Sequence, residues 1–205
     1  MIIEVDKYKE IIAGYDPAHS DDVHIESAKM ADKDFEKLIK EKKFKEIIFM
    51  SGGTASGKSE FAIQNYRESE DILVLDATLK NIEGFKIKYK LIQKYQKEAS
   101  VKIIHVAPIF WPDALDAFYG RERKMKIENF WITHIDSKKT IISILREYKE
   151  VVLDLILSSY SGKVISFKKF DINNCSDEIV ISIIENLIIE IEESFSIYKN
   201  NKDMI

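Results

Sequence analysis

The residues with the clearest chemistry form a glycine-rich run that follows an apolar segment. From Gly52 to Ser59 the sequence has the spacing Gly-x-x-x-x-Gly-Lys-Ser, between a strand-like run and a helix-like run. Glycine permits backbone conformations closed to other residues, so successive N–H groups can converge on phosphate oxygens at the positive end of a helix. The run predicts a phosphate-binding loop and leaves the reaction open. Its members are Gly52, Gly53, Thr54, Ala55, Ser56, Gly57, Lys58 and Ser59.

Three side chains at or near this loop are candidates for phosphoryl transfer. Lys58 is predicted to contact the β- and γ-phosphates of ATP or GTP, and the Ser59 hydroxyl to bind Mg²⁺. Asp76 ends the apolar run that begins at Ile72, at the carboxyl end of a predicted strand, where open α/β sheets bind ligands. We expect Asp76 to accept the proton of an attacking hydroxyl or to bind Mg²⁺, usually through water. A third alternative is that Asp76 caps the next helix.

A pair of arginines forms the second informative region. Only four of the 31 basic residues are arginines, and Arg121 and Arg123 stand one residue apart after Gly120. Arginine binds phosphate through a planar, bidentate contact, so these two are predicted to close over the nucleotide as a lid. The alternative is a solvated basic loop. Thr78 and His134 are predicted to contact the acceptor, although His134 also suits a position in the core.

Composition limits the class of protein. A net charge of −4 argues against a general binder of nucleic acid or of anionic membranes. The single Cys175 can form no internal disulfide and no metal pair, which fits a reducing cytoplasm. The first residues do not resemble a signal peptide, and the apolar run at 179–191 is too short and too charged for a membrane span. We therefore expect a cytoplasmic protein.

The order of elements predicts an α/β fold with three layers and a mainly parallel sheet of about five strands. We expect one compact domain, in which residues 1–44 form an N-terminal helical extension packed on a core of residues 45–205. The predicted strands are Lys45–Ser51, Asp71–Asp76, Val101–Val106, Val151–Leu157 and Lys163–Phe167.

Helix boundaries are predicted from capping residues. Ser20 is predicted to cap a helix that begins at Asp21, and Asp136 or Ser137 to cap a helix that ends near Tyr148. Ser176 is predicted to cap a final helix from Asp177.

Five segments, in this order, resemble the zeta toxin family of P-loop kinases. They are Tyr15–Ser20, Gly52–Ser59, Asp76–Leu79, Gly120–Arg123 and His134–Ser137, within a resemblance that spans about residues 15–170. The resemblance implies a P-loop kinase-like fold and an ATP- or GTP-dependent kinase that requires Mg²⁺ and phosphorylates a hydroxyl. The best-known members of the family modify the sugar of UDP-N-acetylglucosamine and are held in check by an antitoxin protein.

By this resemblance Lys58 contacts the phosphates, Ser59 the metal and Asp76 the substrate hydroxyl. Arg121 and Arg123 form the lid.

Two alternatives of other classes remain open on the sequence. One is a polynucleotide or nucleoside 5′-hydroxyl kinase that uses the lysine- and tyrosine-rich helix at 86–97. The other is a nucleotide-binding module without transfer chemistry. The sequence fixes neither the acceptor nor the choice between ATP and GTP.

Overall fold

The computed structural model describes residues 1–162 and 164–202, with side chains described through residue 199. Lys163, the predicted first residue of the fifth strand, and residues 203–205 of the predicted core lie outside the described residues. Within them the strands are β1 (Ile2–Glu4), β2 (Glu46–Ser51), β3 (Ile72–Asp76), β4 (Ser100–Pro108), β5 (Val152–Ser161) and β6 (Val164–Phe170). The α-helices are α1 (Val5–Lys9), α2 (His24–Glu41), α3 (Lys58–Tyr66), α4 (Ile82–Tyr95), α5 (Trp111–Tyr119), α6 (Ile127–Glu147) and α7 (Asp177–Lys202).

The six strands form one sheet in the order β1-β3-β2-β4-β5-β6. Neighbouring strands are parallel from β1 through β5, and β6 is antiparallel to β5. The predicted α/β class and mainly parallel sheet are confirmed, and the prediction of about five strands missed β1. This strand has only three residues, too few for a periodic pattern, and it forms because it pairs with β3, with Glu4 opposite Asp76.

Helices cover both faces of the sheet, which is compatible with three layers. On one face Phe49 of β2 packs among side chains of α2, α4 and α6, and its ring lies 5.1 Å from that of Phe85. On the other face Ile48 and Met50 pack with Ala62 of α3. None of the helices within residues 1–162 and 164–202 combines the length and the apolar character of a membrane span.

The strand order reverses at β2. The chain passes from β2 to β3 through α3, then returns across β2 to β4 through α4 on the opposite face. Open α/β sheets bind ligands at such a switch point, outside the carboxyl ends of the strands. The phosphate-binding loop follows β2 directly and therefore lies at this point.

Two predicted helix starts are wrong. Helix α2 begins at His24 and not at Asp21, because residues 17–19 form a 3₁₀ turn and the buried Ser20 hydroxyl donates to Lys124 O at 3.2 Å. Helix α6 begins at Ile127, so neither Asp136 nor Ser137 is a cap. The start of α7 at Asp177 is confirmed, with Ile179 N–H donating to Ser176 Oγ at 3.5 Å.

Candidate functional site

The phosphate-binding loop bends through left-handed backbone. Gly52, Ala55 and Gly57 have φ values of 140°, 60° and 87°. In the described part of the chain, the non-glycine residues with positive φ are Ala55 and Leu79, and Leu79 stands three residues after Asp76. Such a conformation is unfavourable for residues with a Cβ and tends to occur at functional sites. Both unfavourable positions therefore lie at the predicted site.

Three consecutive carbonyl groups of the loop accept hydrogen bonds from the protein behind it. The donors are His134 Nε2 to Thr54 O at 2.9 Å, Tyr160 OH to Ala55 O at 2.5 Å, and Ser158 Oγ to Ser56 O at 2.8 Å. Because a trans peptide is planar, the N–H of each following residue lies opposite the carbonyl. The N–H groups of Ala55 and Gly57 are thus directed away from α6 and β5, as a phosphate-binding loop requires, whereas the Ser56 N–H donates to Gly53 O within the loop at 3.3 Å.

Helix α3 adds its amino end to the same place. Gly57 is its N-cap, with no side-chain hydrogen bond to the cap, and Lys58 and Ser59 are its first residues. The first N–H groups of a helix have no partner within the helix, and its dipole places partial positive charge there. Together with the Lys58 ammonium, this end of α3 favours an anion.

Ser59 and Asp76 meet across the end of the sheet. The Ser59 hydroxyl donates to Asp76 Oδ2 at 2.5 Å. Asp76 is only 7 % exposed, and its other oxygen, Oδ1, is buried without a hydrogen-bond partner in the described residues. An unpartnered buried carboxylate oxygen is costly, so it indicates a ligand or a proton at this position.

The environment of Asp76 favours proton uptake. Burial raises the pKa of this carboxyl above its usual range, and the negative charges of Glu4 and Asp6 act in the same direction. The Lys58 charge and the Ser59 hydrogen bond oppose the increase without cancelling it. A carboxylate with a raised pKa is a better general base near neutral pH than an ordinary aspartate.

A pocket of about 380 Å³ opens beside this pair. Its lining includes Lys58, Ser59, Asp76 and Thr78 of the predicted site, together with Ala77. The pocket is large enough for a small molecule. Its other lining residues are Glu4, Val5, Asp6, Lys7, Glu10, His24, Ala28, Asp32, Leu75, Lys88 and Arg123.

The two predicted lid arginines lie at this pocket and next to it. Arg123 lines the pocket, whereas Arg121 lines a second cavity together with Tyr160, the residue that holds the loop at Ala55. Both guanidinium groups approach one carboxylate, since Asp6 Oδ2 is 3.0 Å from Arg123 Nη1 and 3.9 Å from Arg121 Nη2.

His134 lies behind the loop and does not line the Asp76 pocket. It is fully buried, its ring packs against Trp111 and Phe130, and Gly53 touches it so closely that a Cβ at Gly53 would lie 2.1 Å from His134 Cγ. Burial and the nearby Lys138 charge hold the pKa of His134 well below its usual range. The structure therefore places His134 in the core, where it supports the loop.

Several residues at and around the site were not predicted from the sequence. Ser158 and Tyr160 were expected in a connection between strands, but β5 continues to Ser161 and brings both under the loop. Lys138 is fully buried on α6, four residues after His134 and three before Ile141. This helical spacing could have predicted that Lys138 lies on the buried face of the helix. Asp6 gave no signal, because its two arginine partners lie more than 100 residues away.

The lysine- and tyrosine-rich helix is largely engaged within the protein. Tyr89 is buried and donates to Glu150, and Lys86 and Lys88 form ion pairs with Glu147 and Asp32. Tyr89 therefore offers no stacking surface to a base. Tyr95 is half-buried, and the ammonium groups of Lys40 and Lys94 lie over its ring.

The oxygen atoms at Ser59 and Asp76 fit a Mg²⁺ ion that is also bound by phosphates and water. Mg²⁺ in nucleotide sites usually takes one or two protein oxygens, and Asp76 Oδ1 is available. Within residues 1–162 and 164–202, no cluster of three or more His, Cys, Asp or Glu side chains is placed to hold a metal by itself.

No protein-family model and no curated protein matches this chain.

The contact between Gly53 and His134 makes a testable prediction about the loop. Gly53→Ala should lower the free energy of unfolding by about 1–3 kcal/mol, because the new methyl overlaps the buried imidazole. In the His134→Ala background, Gly53→Ala should lower the free energy of unfolding by less, because the overlapping imidazole is absent. Urea unfolding measures the loss in each background. Gly84→Ala is the control, since a Cβ at Gly84 meets nothing within 4 Å and the substitution should be neutral or stabilising. Equal losses from Gly53→Ala in the two backgrounds would contradict the contact.

Buried Lys138 makes a second prediction, on pH. Burial lowers the pKa of Lys138 from 10.5 to about 7, with Glu190 opposing the change. Between these values the unfolded chain binds more protons, so this group makes the free energy of unfolding rise with pH, by at most about 1.4 kcal/mol per pH unit.

Lys138→Met should reduce that slope between pH 7.5 and 9 in urea unfolding experiments. The exposed neighbour supplies the control, because Lys139→Met should keep the wild-type slope. Equal slopes for wild type and Lys138→Met would show that Lys138 does not titrate in this range.

Proposed function

We propose that this protein is a P-loop kinase that transfers the γ-phosphoryl group of ATP or GTP to a hydroxyl of a small molecule, with Mg²⁺. The observation that carries the proposal is the pair of Ser59 and Asp76 at the amino end of α3, with Asp76 Oδ1 buried and unpartnered beside Lys58. A P-loop kinase-like fold and a relation to the zeta toxin family belong to the same proposal. The switch-point position of the loop supports it.

In the proposed reaction the phosphate tail lies along the loop and the amino end of α3. The acceptor occupies the Asp76 pocket, and its hydroxyl oxygen attacks the γ-phosphorus while the bond to the bridging oxygen breaks and the nucleoside diphosphate leaves. Asp76 takes the hydroxyl proton, for which its raised pKa suits it. Lys58, Arg121 and Arg123 neutralise the charge that spreads over the transferred group.

The Ser59 hydroxyl is the group that would hold Mg²⁺, and Asp76 would keep Oδ1 for the hydroxyl proton. When bound, the ion would neutralise charge on the β- and γ-phosphates.

The acceptor is proposed to be a small alcohol, because the pocket of about 380 Å³ is at the lower end of ligand-site volumes. A nucleotide sugar such as UDP-N-acetylglucosamine enters as a candidate through the family resemblance. The pocket is lined by several carboxylates and cations, which suit a polar, hydroxyl-rich molecule.

Two substitutions test the proposal. Asp76→Asn should lower phosphate transfer by roughly 10²-fold or more while nucleotide binding remains, since the base is lost and the loop is intact. Lys58→Ala should weaken both binding and transfer. The measurement uses γ-labelled ATP and GTP with Mg²⁺ and a cell extract, followed by mass spectrometry of the labelled product.

Asp71→Asn provides the matched control. Asp71 stands just before the opposite end of β3 and forms an exposed ion pair with Lys45. The Asp71→Asn variant should match the wild type in nucleotide binding and in phosphate transfer. Transfer by Asp76→Asn at the wild-type rate would remove the assignment of Asp76 as the base, and failure of the wild type to bind any triphosphate would remove the proposed function.

A further inference from the structure

The N-terminal edge strand brings an acidic residue to the candidate site. Strand β1 is parallel to β3 in a register that places Glu4 opposite Asp76, so both strands end at the same edge of the sheet. Helix α1 begins at the next residue, and Asp6 lies in its first turn. Asp6 consequently lines the pocket that contains Asp76 and Lys58.

Asp6 lies among three cations. Its Oδ2 atom approaches Arg123 and Arg121 at 3.0 and 3.9 Å, and its Oδ1 atom is 3.1 Å from Lys9 Nζ. Burial acts to raise the pKa of Asp6, but the charges of Lys9, Arg123 and Lys58 outweigh it and hold the pKa below its usual range. The carboxylate is therefore charged at neutral pH and binds both guanidinium groups.

Helix α1 is itself firmly placed. The Tyr8 hydroxyl donates to Asp34 Oδ2 of α2 at 2.5 Å, and the side chains of Val5 and Tyr8 pack against the main core. The Lys9 side chain is only 2 % exposed. Asp6 thus stands on an element whose position is fixed by the core and by the edge of the sheet.

The arginine segment is attached to the N-terminal region at a second place. Lys124 N–H donates to Pro17 O at 2.8 Å, and Ser20 Oγ donates to Lys124 O at 3.2 Å. These contacts hold the backbone just after Arg123, whereas Asp6 holds the side chains. Two arginines beside Lys58 repel each other in the absence of an anion, and one shared carboxylate offsets that repulsion.

We propose that Asp6 is a positioning residue that holds Arg121 and Arg123 at the phosphate-binding loop before nucleotide arrives. The inference rests on the proposed function, since it assigns the arginines to the phosphates. Asp6 acts through the arginines and does not touch the reacting atoms. An arginine already ordered loses less conformational freedom when it binds the transferred group.

The contribution of Arg123 to nucleotide affinity should therefore depend on Asp6. With Asp6 present, Arg123→Gln should weaken binding of the Mg²⁺ complex of β,γ-imido-ATP or β,γ-imido-GTP by about tenfold, as expected for loss of one charge-assisted contact. In the Asp6→Asn background the same substitution should weaken binding by less than about threefold, because Arg123 is then no longer held at the loop. Calorimetry on the full-length chain gives the four affinities.

Transfer kinetics supply a second readout. Asp6→Asn should lower kcat by about tenfold and raise the KM for nucleotide by about threefold or more, because Arg123 then contributes less to binding as well as to transfer, and Asp6→Glu, which keeps the charge, should recover part of both losses. Tyr8→Phe is the structural control, since it removes the hydrogen bond that ties α1 to α2 and leaves the arginines untouched. It should change kcat by less than twofold.

Several results would overturn the assignment. Additive effects of Asp6→Asn and Arg123→Gln on binding would show that the two residues act independently, whatever the transfer activity. A higher kcat for Asp6→Asn would make Asp6 a competitor of the phosphates, and an unchanged kcat would show that Asp6 does not position the arginines for transfer. A loss in Tyr8→Phe equal to that in Asp6→Asn would make the role of Asp6 structural. A wild type that binds no triphosphate overturns the proposed function and this inference together, whereas additive binding effects overturn this inference alone.

Discussion

The candidate site depends on the hydrogen bonds that hold the carbonyl groups of the phosphate-binding loop from behind. Thr54, Ala55 and Ser56 each accept a hydrogen bond from a side chain of α6 or β5. With these carbonyls engaged, the peptide geometry directs the neighbouring N–H groups to the other side. The positive φ of Ala55 is tolerated because these contacts over-determine the loop. A loop of the same sequence without them would have no reason to keep this shape.

The titratable side chains on the two sides of the loop differ in their burial. Behind it lie two buried imidazoles, His134 and His105, whose pKa values burial holds well below the usual range, and buried Lys138, whose pKa burial lowers to about 7. In front lie the side chains of Lys58 and of the two arginines, which are partly exposed. An anion at the loop therefore meets its cations on the accessible side, and the core behind the loop avoids the cost of unpaired buried charge.

Local sequence predicted the parts of the site that lie within one strand, loop and helix. The glycine spacing identified the loop, and an apolar run that ends in a carboxylate identified Asp76, because both patterns are set by neighbouring residues. Tyr160 and Asp6 were not predicted, since each acts on a residue about 100 positions away in the chain. The start of α6 was misplaced because Phe130 and Trp131, which resemble strand residues, pack instead in a cluster with α5 and α7.

The central claim is that the loop binds a phosphate tail. The most direct test is a calorimetric titration, with Mg²⁺, of one nucleoside and its mono-, di- and triphosphates, carried out for adenosine and for guanosine. If the loop, α3 and Lys58 bind the phosphates, affinity should rise steeply from the nucleoside to the triphosphate, and the rise should disappear in Lys58→Ala. Equal affinity across the series, or no binding of either triphosphate, would contradict the account.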